Sequence, residues 1–147
     1  MVTGGCGFIG SHLVERLLTE GCEVVVLDNL STGRTTNLKA VWESPHLQVI
    51  EEDVTRREAI EHHFQGVDTV FHLAALADIV PSIQRPTDYY HANVTGTLTV
   101  LEAARKAAVR RVIYAASSSC YGIPDIFPTP ETAPPKPEYP YALTKYL

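Results

Sequence analysis

Five short runs rich in Val, Ile and Leu, at Met1 to Thr3, Glu23 to Leu27, Leu47 to Glu51, Val67 to Ala74 and Arg111 to Ala116, show little apolar–polar alternation. Continuous apolar strands of this kind belong in a parallel sheet covered on both faces. The stretches between them carry helical spacing. Ile9, Leu13 and Leu17, with Val14 and Leu18 beside them, form an apolar stripe that stops at Gly21, a residue suited to a left-handed C-cap. Asp53 or Thr55 is placed to cap a helix over Arg56 to Phe64, closed by Gly66. The longest helix is predicted after Pro86, from about Thr87 to Ala108, with Val94, Leu98, Leu101 and Ala104 on one face. Gly96 inside it costs about 1 kcal/mol against Ala, which implies close packing there. Residues 37–44, with Trp42, read as a short packing helix. Strands alternating with helices through right-handed crossovers define an α/β, doubly wound parallel sheet of strand order 3-2-1-4-5.

Residues 123–140 break the alternation with seven prolines in eighteen positions. This is a stiff loop, long enough to be functional, that leads into a helix starting at Tyr141. At 147 residues and 45% apolar, the chain suits one domain, residues 1–147, with a full core. The net charge of −5 supplies no basic footprint for nucleic acid or an acidic membrane surface, so small soluble partners are expected. No apolar run approaches the ~20 residues of a membrane span. Cys6, Cys22 and Cys120 are odd in number and lack zinc or CxxC spacing, the pattern of reduced thiols in a cytoplasmic protein. No metal site is expected. The chain opens directly on a strand that is short at three residues, and both ends are expected to be cut.

Gly4, Gly7 and Gly10 form GxxGxxG at a strand-to-helix turn. The first allows the tight turn, the second lets backbone approach a pyrophosphate, and the third lets helix pack on strand, as in a Rossmann-type dinucleotide site. Phosphates then sit on a helix N-terminus, where unpaired N–H groups and the macrodipole favour negative charge. Asp28, eighteen residues after Gly10, closes the second strand, where a carboxylate bonds the adenosine ribose hydroxyls and repels a 2′-phosphate. NAD is therefore favoured over NADP, although Arg34 in the next loop weakens the preference. At the other end, Tyr141 and Lys145 lie four residues apart, so one helical turn places phenol and ammonium on the same face. Lowering a phenol from about 10 to about 7 needs roughly 4 kcal/mol of differential stabilisation. One neighbouring cation shifts a pKa by about 1 to 3 units, so Lys145 alone falls short.

Thr3 to Gly10, Asp28-Asn29-Leu30, Asp53-Val54, His72-Leu73-Ala74-Ala75, Asn93, Ser117 through Gly122, and Tyr141 with Lys145 together resemble the extended short-chain dehydrogenase/reductase family. Within it the chain is similar to nucleotide-sugar 4-epimerases of the UDP-glucose and UDP-N-acetylglucosamine type. The resemblance implies that Phe8 and Ile9 lie along the pyrophosphate, that Asn29 sits with Asp28 at the cofactor, and that Asp53 and Val54 frame the adenine. Leu73, Ala74, Ala75 and Ala77 would line the ribose and nicotinamide. Asn93 would help hold the cofactor, unless it is simply a polar surface position. Lys145 and Tyr141 would also contact the nicotinamide end, whose positive ring supplies the rest of the phenol's activation. The resemblance further implies a homodimer formed through the long helix and the helix at Tyr141, and a C-terminal substrate lobe that this chain lacks. Alone, residues 1–147 would bind NAD weakly and turn nothing over.

In that family a serine after the fifth strand bonds the reacting sugar hydroxyl. Counting five residues back from Gly122 selects Ser117 over Ser118 and Ser119. The expected catalytic set is Ser117, Tyr141 and Lys145, with Ala77, Asp78, Ser117, Ser118 and Tyr141 toward substrate. Sugar-nucleotide 4,6-dehydratases carry Asp-Glu after the serine; Ser118 and Ser119 supply neither acid nor base. Ala77 stands where glucose-type epimerases often have Lys, which points to the N-acetylhexosamine or uronate group, while Asp78 tells against a uronate. The expected reaction is 4-epimerisation of a UDP-hexose or UDP-N-acetylhexosamine through a 4-keto sugar. The alternatives are a net reductase or dehydratase of the same family and a non-catalytic NAD-binding scaffold. His62 and His63 read as solvated, His72 as structural, and Cys6 as a small side chain facing the cofactor.

Overall fold

A computed structural model describes all 147 residues. The chain forms two compact units, one of residues 1–74 and 96–115 and the other of residues 75–95 and 116–147.

The first unit is a five-stranded parallel sheet in the order β3-β2-β1-β4-β5, as the apolar runs predict. β1 is Val2–Thr3, β2 Val24–Asp28, β3 Leu47–Glu51, β4 Thr69–His72 and β5 Arg111–Tyr114. β1 is flanked by β2, with Val2 opposite Val26, and by β4, with Thr3 opposite His72. The chain therefore winds outward from β1 to one side and then to the other. The carboxyl end of β1 is the topological switch point, where this architecture opens a crevice for ligands. One core cluster joins Leu27, Ile60, Phe64, Val70 and Val100; the other joins Val2, Cys6, Val14, Val26 and Leu38.

Helix α1, Phe8–Thr19, buries Val14 and ends as its glycine predicts. Gly21 has φ +80°, its N–H donates to Leu18 O, and the Cys22 N–H reaches Leu17 O, a full Schellman motif. Ile9 leaves the expected stripe and is 68% exposed. The helix expected over residues 56–64 is divided into α2, Arg57–Ile60, and a 3₁₀ turn, Glu61–Phe64. Neither Asp53 nor Thr55 caps α2; Asp53 Oδ1 instead accepts from the Thr55 N–H and hydroxyl in the turn before it. Trp42 is 47% exposed and joins neither core cluster. Leu38, at the end of the 3₁₀ turn Thr35–Leu38, is the residue that enters the core there.

The second unit contains α3, Ile79–Gln84, and α4, Pro86–Tyr89. A π-helical turn, Tyr90–Thr95, and a 3₁₀ turn, Ser118–Tyr121, follow. Residues 123–139 carry neither helix nor strand, as the prolines require, and α6 runs Pro140–Tyr146 with proline in its first turn. The single helix expected from Thr87 is thus α4, the π turn, and, in the first unit, α5, Gly96–Lys106. The π turn breaks the 3.6-residue extrapolation. On α5 the buried residues are Gly96, Thr99, Val100, Ala103 and Ala104, whereas Leu98 and Leu101 are exposed. No helix is long and apolar enough to cross a membrane.

Candidate functional site

In the first unit every candidate follows the carboxyl end of a strand. After β1, Gly4 turns the chain at φ +70°, and a Cβ there would lie 2.7 Å from Ala74 N. A Cβ on Gly10 would lie 2.2 Å from Gly4 O, so helix and strand could not close on each other. Gly7 differs, since its Cβ would meet only Gly4 O at 3.2 Å. The chain's own packing demands the first and third glycines; the second faces outward. Gly7 is the N-cap of α1, with no side-chain cap bond and no acidic residue in the first turn. The N–H groups that open α1 therefore have no intrahelical partner, and Phe8 stands 79% exposed beside Ile9. This uncapped, twelve-residue helix end fits a pyrophosphate.

Asp28, at the end of β2, is buried and aimed by the same loop. Its Oδ2 accepts from the Cys6 N–H at 2.9 Å and its Oδ1 from the Leu30 N–H at 2.8 Å. Each carboxylate oxygen retains acceptor capacity, which fits a ribose diol. Gly33 preserves the space, for a Cβ there would lie 2.9 Å from Asp28 Oδ2. In the sequence the only signal of Gly33 is a glycine five residues after the acid. Cys6 faces the core rather than a cofactor: its thiol is fully buried and pushed up to about 11 by burial, with the Asp28 charge adding. Its backbone does the positioning, with Cys6 O accepting from Asn37 Nδ2 at 2.8 Å. Asn29 Nδ2 donates to Asp53 Oδ2 at 2.7 Å, tying two candidate residues together, while Val54 packs into the core.

His72 is structural, as expected. Its Nδ1 lies 2.6 Å from Thr3 Oγ1 and its Nε2 3.0 Å from Thr97 Oγ1. Thr3 Oγ1 also accepts from the Ala74 N–H at 3.2 Å, so the Leu73-Ala74 backbone is set against the end of β1. The His62 and His63 rings lie with centroids 3.8 Å apart and tilted by 43° on the 3₁₀ turn, with His63 pushed below its ordinary value mainly by burial.

In the second unit Asn93 is 2% exposed, which excludes the surface reading. Its Oδ1 accepts from the Leu76 N–H at 2.8 Å, and its Nδ2 donates to Leu76 O and to Thr144 Oγ1, both at 3.0 Å. The amide therefore joins the segment carrying Ala75, Ala77 and Asp78 to α6. Thr144 passes the link on by donating to Tyr141 O at 2.9 Å. Helix α6 sets Tyr141 and Lys145 one turn apart, as the spacing predicts. Lys145 is 8% exposed, and burial pushes its ammonium below the ordinary lysine value against an opposing effect of Cys120. Ser117 caps the 3₁₀ turn: its hydroxyl accepts from the Ser119 N–H and bonds the Ser119 hydroxyl, while Ser118 is exposed. Ala77 and Asp78 are exposed as well.

A switch-point glycine loop at an uncapped helix, an acid at the end of β2, and a Tyr-x-x-x-Lys helix define a chain of the Rossmann-type dinucleotide-binding class. The chain belongs to the NAD dependent epimerase/dehydratase family, whose profile it matches over residues 1–147. It is 38% identical over 151 residues to a UDP-glucose 4-epimerase of Bacillus subtilis, covering 100% of this chain and 44% of that protein. A UDP-glucose 4-epimerase of Thermotoga maritima, solved with UDP-glucose, superposes with a TM-score of 0.91 at 38% identity, covering 99% of this chain and 47% of the other. A dTDP-glucose 4,6-dehydratase of Streptomyces venezuelae, solved with NAD, gives 0.94 at 36% identity, with 99% and 47% covered. The chain thus spans about half the length of these relatives.

Proposed function

We propose that the protein built on this chain is an NAD-dependent nucleotide-sugar 4-epimerase acting on a UDP-hexose or UDP-N-acetylhexosamine. The observation that carries the reading is the pairing of Tyr141 with a desolvated Lys145 on one turn of α6, next to a serine turn that holds no carboxylate at 118 or 119. Gly4, Gly7 and Gly10 with the N–H groups of Phe8 and Ile9 would receive the pyrophosphate, and Asp28 the adenosine ribose. Asn29 and Asp53, with the backbone at Val54, Leu73 and Ala74, would frame the rest of the first unit's share. NAD, when bound, supplies the two-electron oxidation of the sugar C4 and its reversal. Tyr141 removes the proton from the C4 hydroxyl and later returns it, with Ser117 holding that oxygen. An ammonium destabilised by burial gains most from a phenolate one turn away, so Lys145 favours the ionised base. The 4-keto sugar turns over between the two transfers, and no cofactor is consumed. Ala77, Asp78 and Ser118, all exposed, would meet the sugar. The homodimer belongs to the same proposal, with Leu98, Leu101 and Leu143 as exposed apolar surface for it.

In the full-length protein, Tyr141→Phe is expected to lower interconversion of UDP-glucose and UDP-galactose, or of their N-acetyl forms, by at least about a hundredfold. Activity within tenfold of wild type removes Tyr141 as the base. The dehydratase neighbour supports a second reading. Formation of a 4-keto-6-deoxy sugar, in place of the epimer, would establish it.

A further inference from the structure

Tyr89 belongs to none of the motifs above, yet it touches two groups that the proposed reaction uses. It ends α4 and is 2% exposed. Its hydroxyl donates to the Ala77 carbonyl, and its ring meets that of Tyr141 edge to face, with centroids 6.4 Å apart at 81°. Burial, with the Asp78 charge reinforcing it, pushes the Tyr89 phenol above its ordinary value, so the hydroxyl keeps its proton and remains a donor.

The residue after Ala77 explains why such an anchor is needed. Asp78 has φ +81° and ψ 139°, a conformation that essentially only glycine adopts without strain. Strain of this kind persists only where the surroundings over-determine it. Asn93 holds both backbone groups of Leu76, and Tyr89 holds the carbonyl of Ala77. Directly beyond Asp78, α3 begins, its first turn closed by Ser82 Oγ on Ile79 O at 2.6 Å. Asp78 is thus clamped from both sides, and the nearest clamp before it is the Tyr89 hydroxyl. Its own carboxylate makes no capping bond to α3 and lies exposed.

We propose that Tyr89 is a positioning residue with two separable parts. Its hydroxyl pins Ala77 so that Asp78 presents its carboxylate in the strained conformation, and its ring supports the Tyr141 phenol from the edge. The inference rests on the reading of Tyr141 as the proton-transferring group and Asp78 as a substrate contact.

The test uses the full-length protein with bound NAD and the variants Tyr89→Phe, Tyr89→Leu, Asp78→Gly and the double variant Tyr89→Phe/Asp78→Gly. Steady-state kinetics with UDP-galactose or UDP-N-acetylgalactosamine are read beside amide hydrogen exchange of residues 75–84. Tyr89→Phe keeps the ring, so kcat is expected to stay within about twofold while KM rises roughly fivefold and exchange at residues 76–79 accelerates. Glycine needs no clamp, so in the Asp78→Gly background the same change adds little to KM and leaves exchange unaltered. Tyr89→Leu removes the edge contact as well and is expected to lower kcat about tenfold. Wild-type KM and exchange in Tyr89→Phe overturn the anchoring, and wild-type kcat in a folded Tyr89→Leu overturns the support of Tyr141. If Tyr89→Leu does not fold, Tyr89→Met, which also lacks the ring, carries the same kcat test, and the Phe and Gly variants decide the anchoring. Should the wild-type protein turn over no nucleotide sugar, the proposed function falls, and the exchange comparison alone still decides the anchoring.

Discussion

The buried positions of the first unit are mostly apolar residues on strands and helices, Val2, Val26, Leu27, Val70 and Phe64 among them. Those of the second are Tyr89, Ala142 and the polar Ser82, Asn93, Thr144 and Lys145. No buried side-chain nitrogen or oxygen in the chain lacks a partner. In one unit the candidate residues are placed by strand ends and by the contact limits of glycine. In the other they are placed by a few donor–acceptor pairs centred on Asn93 and Tyr89. An apolar core distributes its stabilisation over many weak contacts, whereas a small polar network depends on each member being satisfied. The same kind of substitution should therefore act differently in the two places.

The largest effect is expected where backbone meets backbone. Gly10→Ala forces a methyl against Gly4 O and should cost about 3 kcal/mol, visible as a lowered urea midpoint together with loss of copurifying NAD. Next comes Asn93→Leu, which leaves the Leu76 N–H and carbonyl and Thr144 Oγ1 without the amide. A loss of about 2 kcal/mol in urea unfolding is expected, with faster exchange at Leu76. Smallest in stability is Gly7→Ala. Its backbone, at φ −74° and ψ 176°, accepts alanine, and the added methyl meets only one atom at 3.2 Å. The unfolding free energy from urea titration should change by less than about 1 kcal/mol while retained NAD, measured on the purified protein, falls. A Gly7→Ala protein that is as unstable as Gly10→Ala would erase the distinction between a glycine required by the fold and one required by the ligand.

How legible each unit was in the sequence follows the same division. β3 falls at Leu47–Glu51 as read, and β2 is displaced by one residue, because continuous apolar runs between polar breaks have few other ways to be buried. Gly21 and Pro140 punctuate helices through local backbone limits. The long helix departs from its 3.6-residue pattern where a π turn displaces its buried face, so Leu98 and Leu101 stand exposed. Trp42 stays half exposed because bulk and apolarity alone do not bring a neighbour to cover a side chain. Gly33, Asn93 and Tyr89 carry no local pattern that states their task. Gly33 matters only because Asp28 is beside it, and Asn93 only because Leu76 and Thr144 converge on it.

From the sequence alone came the parallel sheet and its order, the glycine turn, and the spacing that puts Tyr141 and Lys145 on one helical turn. These are consequences of short-range sterics and of the periods of strand and helix, which act between residues close along the chain. Tertiary structure decided that Cys6 enters the core while its N–H aims Asp28, that Lys145 is buried, and that Tyr89 bonds the Ala77 carbonyl while its ring meets that of Tyr141. Those outcomes depend on burial and on hydrogen bonds between residues far apart in sequence, which exist only once the chain has folded.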